Sequence, residues 1–359
     1  MNDSVSHYCG AGVNSEYNSV GAQSFLVLFL PMPIEKKILY KSISLFLKVL
    51  ITAGSLWYIY SKVFQQNDFK SLFLFNSSKI YLLILTILLM FINWSLEAVK
   101  WKMLVSRIEN QTFFQSLKGV LCGLSVSVFT PNRVGEFSGR IFLLSKANRI
   151  DATLLTFAGN VSQLFVTLLM PLISFLLWRL SNSGTISAIN LIAQNESEYL
   201  EQIGILNAVS LISVFSFILA LCLILLIYLF RNKITNKYLQ IVKTIDREEW
   251  LLLLTFSLLR YTVFFVQFHF LLLLFDVNIS MKNSLIMIPL VFYVITIIPT
   301  FTLTELGVRS SAALFFFSMI STNSDGILSA SLMLWIINLA LPALAGLLFV
   351  FQLKFFRKE

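Results

Sequence analysis

The sequence predicts an all-α polytopic membrane protein with six full transmembrane helices and two re-entrant helical hairpins, arranged as two inverted repeats. Three observations predict it. Long apolar runs recur along the chain, two shorter apolar runs each lead into a broken, charged turn, and lysines and arginines flank the runs unevenly. Of 359 residues, 57% are hydrophobic and only 13% charged, with 34 phenylalanines. Soluble domains carry about 25% charged residues, so a soluble chain of this composition would expose apolar surface and aggregate. The formal net charge of +9 is not gathered into a patch with stacking aromatics. It flanks the apolar runs, where it acts as an orientation signal, and this argues against nucleic acid as a partner.

Residues 1–35 read as an N-terminal tail. The first 31 are polar and rich in Gly, Ser and Asn, ending in SFLVLFL, with Asp3 and Glu16 but no Lys or Arg. They lack the basic start of a secretory signal and read as a disordered tail or an over-long gene reading, with Met32 before PIEKKILYK resembling a natural cytoplasmic start. The first membrane repeat, 36–180, opens with a span at 41–62, bounded by Lys41 and Lys62. A second span at 79–101 ends in NWSLEAVKWK, Asn93 to Lys102. The apolar piece 117–131 rises only ~22 Å at ~1.5 Å per residue, against a hydrocarbon core of ~30 Å. It ends at Pro131 and leads into a second helix-like piece, 135–147. Together they are expected to form a re-entrant hairpin, 117–147. A third span, 153–179, follows.

An extracytoplasmic loop, 181–205, carries Glu196, Glu198 and Glu201. The second repeat, 206–356, has spans at 206–230, 250–275 and 327–352. Its re-entrant hairpin, 284–320, has a first arm at 284–299 that ends at Pro299 and a second at 305–320. Three full spans per repeat is an odd number, so the second repeat is inverted relative to the first. Inverted repeats with Pro/Gly-interrupted short segments point to a transport site near the midplane.

The positive-inside rule favours re-entrance. With the N-terminus cytoplasmic and both hairpins returning, seventeen lysines and arginines fall inside, in 36–41, 100–118, 146–149, 231–247 and 354–358. Only Lys62, Lys70, Lys79, Arg179 and Lys282 fall outside. If both short pieces crossed, the bias would shrink to twelve against ten. Both termini are therefore expected in the cytoplasm.

The two turns resemble each other. PNRVGEFSGR (Pro131 to Arg140) and PTFTLTELGVR (Pro299 to Arg309) each place a glutamate, Glu136 or Glu305, four residues before an arginine, Arg140 or Arg309. That order puts both side chains on one helix face. Charges at membrane depth cost about 2.5–3.5 kcal/mol each on insertion scales, and broken backbone there needs protein or water to cover it. A polar, protein-lined cavity is the expected solution. Pro131 and Pro299 end the incoming arms, while Gly135, Gly139 and Gly307 permit tight turns or close helix contact. Thr302 and Glu305 have capping-box spacing. Helix N-termini attract phosphate, and with Arg133, Arg140 and Arg309 they would suit an anionic headgroup. Glu136 and Glu305 would pair these arginines in the empty site or meet a cationic part of the headgroup. The structural alternative is that the Glu–Arg pairs only hold the hairpins closed.

Other polar residues receive plainer roles. Glu97 is expected to line the cavity, with Arg260 facing the bundle interior as a partner of Glu97 or Glu136. Lys100 and Trp101 read as interfacial anchors. Asn160, Gln163 and Asn338 read as interhelical hydrogen bonders, His269 as a hydrogen-bonded packing residue, and Asp246 with Glu249 as a helix cap. Cys9, Cys122 and Cys222 have neither disulfide nor metal spacing. No catalytic constellation, nucleotide loop, metal set or cofactor motif is present, so catalytic residues, metals and cofactors are not expected.

TPNRVGEFSGR resembles the P-x-R-x-G-E turn of the membrane region of lysylphosphatidylglycerol synthase/flippase proteins. Glu305, Gly307 and Arg309 match that family's later Glu-x-Gly-x-Arg element, and WSLEAVKW is similar to its second span. The likeness covers about 36–356. It implies two inverted halves with re-entrant helices that move a phospholipid or polyprenyl-phosphate-linked lipid between leaflets. Pro131, Arg133, Gly135, Glu136, Arg140, Glu305, Gly307 and Arg309 are the positions it carries over. Two departures stand out: the soluble aminoacyl-transferase domain is not in this chain, so lysyl transfer is not expected, and the third span has Gly159, Asn160 and Gln163 in place of a Glu-Arg-x-x-Asp-like cluster.

The expectation is a lipid translocase or scramblase of the bacterial inner membrane, not an enzyme, binding an anionic or zwitterionic headgroup. A membrane glycosyltransferase and a second copy of the chain are candidate partners. The alternatives are a non-transporting partner that presents lipid to a glycosyl- or aminoacyl-transferase, and a small-solute transporter.

Overall fold

A computed structural model describes residues 77–127, 134–145, 147–180, 240–299 and 302–350, with Thr130 and a few single positions between 204 and 221. The N-terminal tail, the span expected at 41–62, most of that at 206–230, and the turn residues Pro131 and Arg133 lie outside them. The described residues form helices and connecting turns, with no strand among them.

Helix α1 (Ile80–Val105) follows a single 3-10 turn at Ser77–Lys79. Its buried face runs through Thr86, Met90, Asn93, Glu97, Lys100, Trp101 and Leu104, the three-and-four spacing of one helix side. The opposite side exposes Ile84, Leu88 and Phe91. Polar groups inward and apolar groups outward reverse the pattern of a soluble helix. Lipid is the solvent that outer face requires.

Helices α2 (Phe113–Ser127) and α3 (Gly135–Phe142) are 15 and 8 residues long. At ~1.5 Å per residue neither reaches across a ~30 Å core. They run antiparallel, with Gly135 against Val126 and Ser127, Gly123 against Glu136, and Gly119 near Arg140. A Cβ on Gly139 would overlap the backbone of Gly123 and Cys122. Glycine here therefore serves close backbone approach. Helix α3 stops at Phe142, short of the expected 147, because the Glu109 carboxylate accepts from the N–H groups of Ser145 and Ala147 at 2.9–3.1 Å. Those bonds hold the backbone out of the helix and tie the end of the pair to the loop that leads into it.

Helix α4 (Arg149–Leu180) contains Pro171. A short turn, Gln240–Lys243, precedes α5 (Arg247–Leu274), which opens with the expected capping box of Asp246 and Glu249. Its far end is closed by Asp276 at a φ of 57° and a bond from the Val277 N–H to the Leu272 carbonyl, a left-handed cap of the Schellman kind. Helices α6 (Met281–Ile297) and α7 (Thr302–Phe317) form the second short pair. Pro289 inside α6 leaves the Leu285 carbonyl without its helical donor, and the Ser174 hydroxyl of α4 donates to it at 2.9 Å. Helix α8 (Ser324–Trp335) continues through a π-helical segment, Ile336–Ala340, into α9 (Leu341–Val350). Pro342, just beyond that segment, cannot donate to the Asn338 carbonyl, and π-turns occur where the ladder is interrupted in this way. The Asn323 cap of α8 also donates to the Phe275 carbonyl at 3.0 Å, so the chain after α7 returns to the point where it left α5.

Among the described residues, four helices are long and apolar enough to cross a membrane: Ile80–Val105, Arg149–Ser174, Arg247–Leu274 and Ser324–Phe349. They match four of the six expected spans. Helices α1 and α5 pack antiparallel and are clamped at both ends. Lys79 meets Asp276 at 2.7 Å at one end, and Arg107 pairs with Glu249 at the other. Gln267 donates to the Thr86 carbonyl between them. Helix α2 packs on α9, α6 on α4, and α7 on α6 and α8.

The glycine contacts make a testable contrast. Gly139→Ala forces α2 and α3 apart and is expected to cost on the order of 3 kcal/mol, the upper range of overpacking. Gly119→Ala, whose Cβ would find nothing nearer than 3.7 Å, is expected to be neutral. Thermal unfolding of both variants in detergent checks this; equal melting points would refute the contact.

Candidate functional site

The buried polar face of α1 meets two other helices at Glu97. This carboxylate is 1% exposed and holds three cations. Lys100 Nζ lies 2.9 Å from Oε2, Arg140 Nη2 lies 2.8 Å from Oε1, and Arg260 pairs with Oε2. The cations arrive from α1, α3 and α5, so one side chain ties three elements together. Arg260 also donates from Nε to Asn93 at 3.0 Å, and Asn93 reaches Asn338 of the π segment at 3.5 Å. The Arg140 and Arg260 guanidiniums lie over the rings of Trp101 and Trp94, which adds cation–π attraction.

Above this cluster is a cavity of about 580 Å³. Six charged residues line it: Glu97, Glu136, Arg140, Arg260, Glu305 and Arg309. These are the six charged residues that sequence reasoning assigned to the site and that lie among the described residues. Pro299 lines the cavity from the second turn region, while Gly135 is buried in the first turn of α3 and Gly307 in the second turn of α7. Arg309 reaches Glu305 at 2.7 Å, as the i,i+4 spacing predicts. The matching pair in the first turn is looser: Arg140 is 3.8 Å from Glu136 and is held more closely by Glu97.

Lys100 and Trp101 are not interfacial anchors. They are 1% and 2% exposed, and the Lys100 ammonium also donates to the Gly159 carbonyl of α4 at 3.3 Å. Helix α1 runs on to Val105, more than a turn past both, which takes them below the interface. Asn160 and Gln163 also line the cavity, though Gln163 does bridge to the Ser257 carbonyl of α5 at 3.4 Å. Asn338 and His269 behave as expected, His269 with Ser284 at 2.8 Å. Trp94, Tyr261 and Trp335 also line the cavity, with Thr167 and Thr296, and were missed. Aromatics in a chain so rich in them carry no signal of which ones face a cavity.

Several buried polar atoms around the cavity have no hydrogen-bond partner among the described residues: Trp94 Nε1, Arg140 Nε, Gln163 Oε1, Tyr261 Oη, Arg309 Nε and Trp335 Nε1. Most are donors. Among the described residues no group of His, Cys, Asp and Glu could hold a metal ion.

Apolar spanning helices around a charged, concave interior define a multi-pass membrane protein with a polar site inside. A family model described as the lysylphosphatidylglycerol synthase TM region matches residues 45–346, and the chain belongs to that family. No curated protein matches the chain.

Removing one partner of a buried charge network typically costs about 3–5 kcal/mol. Glu97→Gln leaves three cations, two of them buried, without their shared carboxylate and is expected to cost at least that. Glu305→Gln releases one cation and is expected to cost less. Melting of the two variants in detergent would contradict this ranking if Glu97→Gln proved the milder.

Proposed function

We propose that this protein translocates a lipid between membrane leaflets, taking a phospholipid or polyprenyl-phosphate-linked headgroup into the charged cavity while the tail stays in lipid. The observation that carries this reading is the convergence of Glu136 and Arg140 from one short helix pair with Glu305 and Arg309 from the other on one cavity. A cavity of this size falls in the range of small-ligand sites. Charges at such depth are costly, which makes them functional candidates by default. Family membership supports a lipid-related role.

In this reading α2–α3 and α6–α7 are re-entrant hairpins of two inverted repeats. Several contacts support it. Each hairpin leaves from and returns to one place: Glu109 bonds Ser145 and Ala147, and Asn323 bonds Phe275. Exchanging the repeats also maps α2-on-α9 packing onto α6-on-α4 packing, and α1 onto its antiparallel partner α5. The Arg107–Glu249 end carries the loops with more lysine and arginine and would face the cytoplasm. The membrane would be a bacterial inner membrane, with both termini inside. Rocking of the halves about the cavity would expose it to each leaflet in turn.

Purified protein in liposomes should equilibrate at least one labelled anionic, zwitterionic or polyprenyl-phosphate lipid faster than empty vesicles. Glu136→Gln and Arg309→Ala should each slow this by about tenfold or more, the loss of one charged hydrogen bond worth about 1.5–3 kcal/mol. No movement of any of these lipids by a folded protein would sink translocation and favour presentation of lipid to a partner transferase. Full activity in both variants would leave the Glu–Arg pairs a purely structural role.

A further inference from the structure

Lys100 stands apart from the residues that line the cavity. It is buried directly behind them, with Nζ shared between Glu97 at 2.9 Å and the Gly159 carbonyl at 3.3 Å. The charges lining the cavity among the described residues balance without it: Glu97, Glu136 and Glu305 against Arg140, Arg260 and Arg309. Arg140 and Arg260 already compensate Glu97, so a third cation is not needed to keep that carboxylate paired. Nor is Lys100 a surface charge that reached inward, since it is among the largest fully buried side chains. A buried ammonium without a counter-charge of its own is costly. It becomes favourable when an anion enters the adjoining space.

From this balance we infer that Lys100 is a specificity-determining residue that adds one positive charge behind the otherwise balanced described lining of the cavity, and so favours a monoanionic headgroup over a neutral zwitterionic one. The inference rests on the headgroup reading of the cavity. Lys100 acts through Glu97: by taking a share of that carboxylate, it leaves Arg140 and Arg260 under-compensated on the cavity side. A ligand phosphate then completes the charge balance across a few ångströms of low-dielectric protein, where one charge has a strong effect.

Binding, read separately from transport, tests this. Tryptophan fluorescence of the detergent-purified protein, with Trp94 and Trp335 on the cavity wall, reports titration with short-chain phosphatidylglycerol and, in parallel, short-chain phosphatidylcholine. The wild type is expected to bind the anionic probe about tenfold more tightly, equivalent to one charge interaction of ~1.4 kcal/mol. Lys100→Met, which leaves Glu97 two partners, should bring the ratio close to one, and the charge-preserving Lys100→Arg should restore it. A wild type without preference overturns the inference, and so does folded Lys100→Met with an undiminished ratio. Should Lys100→Met fail to fold, Lys100→Gln and the wild-type ratio decide. Lys100-dependent preference without movement of lipid in liposomes would defeat translocation alone. Lipid movement with no such preference would defeat the role of Lys100 alone.

Discussion

The site depends on one carboxylate. Glu97 gathers Lys100, Arg140 and Arg260 from three helices, and each would be prohibitive at this depth without a counter-charge. The helices are thereby fixed in register as well as in contact. Arg140 can reach Glu97 only if α3 lies close against α2, and α3 lies there only because Gly123 and Gly139 meet backbone to backbone. Arg260 can reach it only if α1 and α5 run antiparallel in the register set by Lys79–Asp276 and Arg107–Glu249. Electrostatics at the centre and packing at the edges are thus one constraint seen from two sides.

Short helices are part of the same solution. A full span satisfies its own backbone and can turn an apolar face to lipid, as α1 does with Phe91 and its neighbours. In the re-entrant reading, a half-length helix would end inside the membrane and bring backbone ends and charged first-turn residues to the interior. Glu136 and Glu305 lie in the first turns of α3 and α7, where the partial positive charge of a helix start stabilises a carboxylate. The cost of breaking the helix and the placement of the charges are linked. Neither would be tolerable without the cavity that both line.

Much of this was readable in the sequence, for definite reasons. Long apolar runs bounded by charge gave the four described spans to within a few residues, because transfer into lipid dominates every local preference. The Glu–Arg spacing after each proline located Glu136, Arg140, Glu305 and Arg309, because helical periodicity is a local property. What could not be read depends on distance across the fold. Lys100 looked like an anchor because the apolar run ends near Trp101, whereas the helix continues to Val105 and carries Lys100 inward. The Glu97–Arg140 contact competes with the local Glu136–Arg140 pair and wins, and sequence spacing sees only the local one. The π segment around Asn338 and the meeting of Gly346 with Leu121 and Ser125 leave no periodic trace.

The ion pairs at the two turns admit a purely structural explanation, and the surroundings weigh against it. A network retained only for packing would be expected to satisfy its members, since a buried polar atom without a partner costs about 1–3 kcal/mol. Around this cavity the atoms without a partner among the described residues include the Nε groups of Arg140 and Arg309, the very arginines of the two Glu–Arg pairs, along with the Tyr261 hydroxyl and two indole N–H groups. Donors outnumber acceptors in that shortfall, Gln163 Oε1 being the acceptor among these atoms. Small side-chain movements could turn such donors toward a ligand rich in acceptor oxygens, as a phosphate is, and recover part of that cost on binding. A site built to hold itself shut has no use for this imbalance, whereas a site that must take up and release a phosphate headgroup gains from it. In the headgroup reading, the unfilled donors would keep the empty state from becoming too stable to leave.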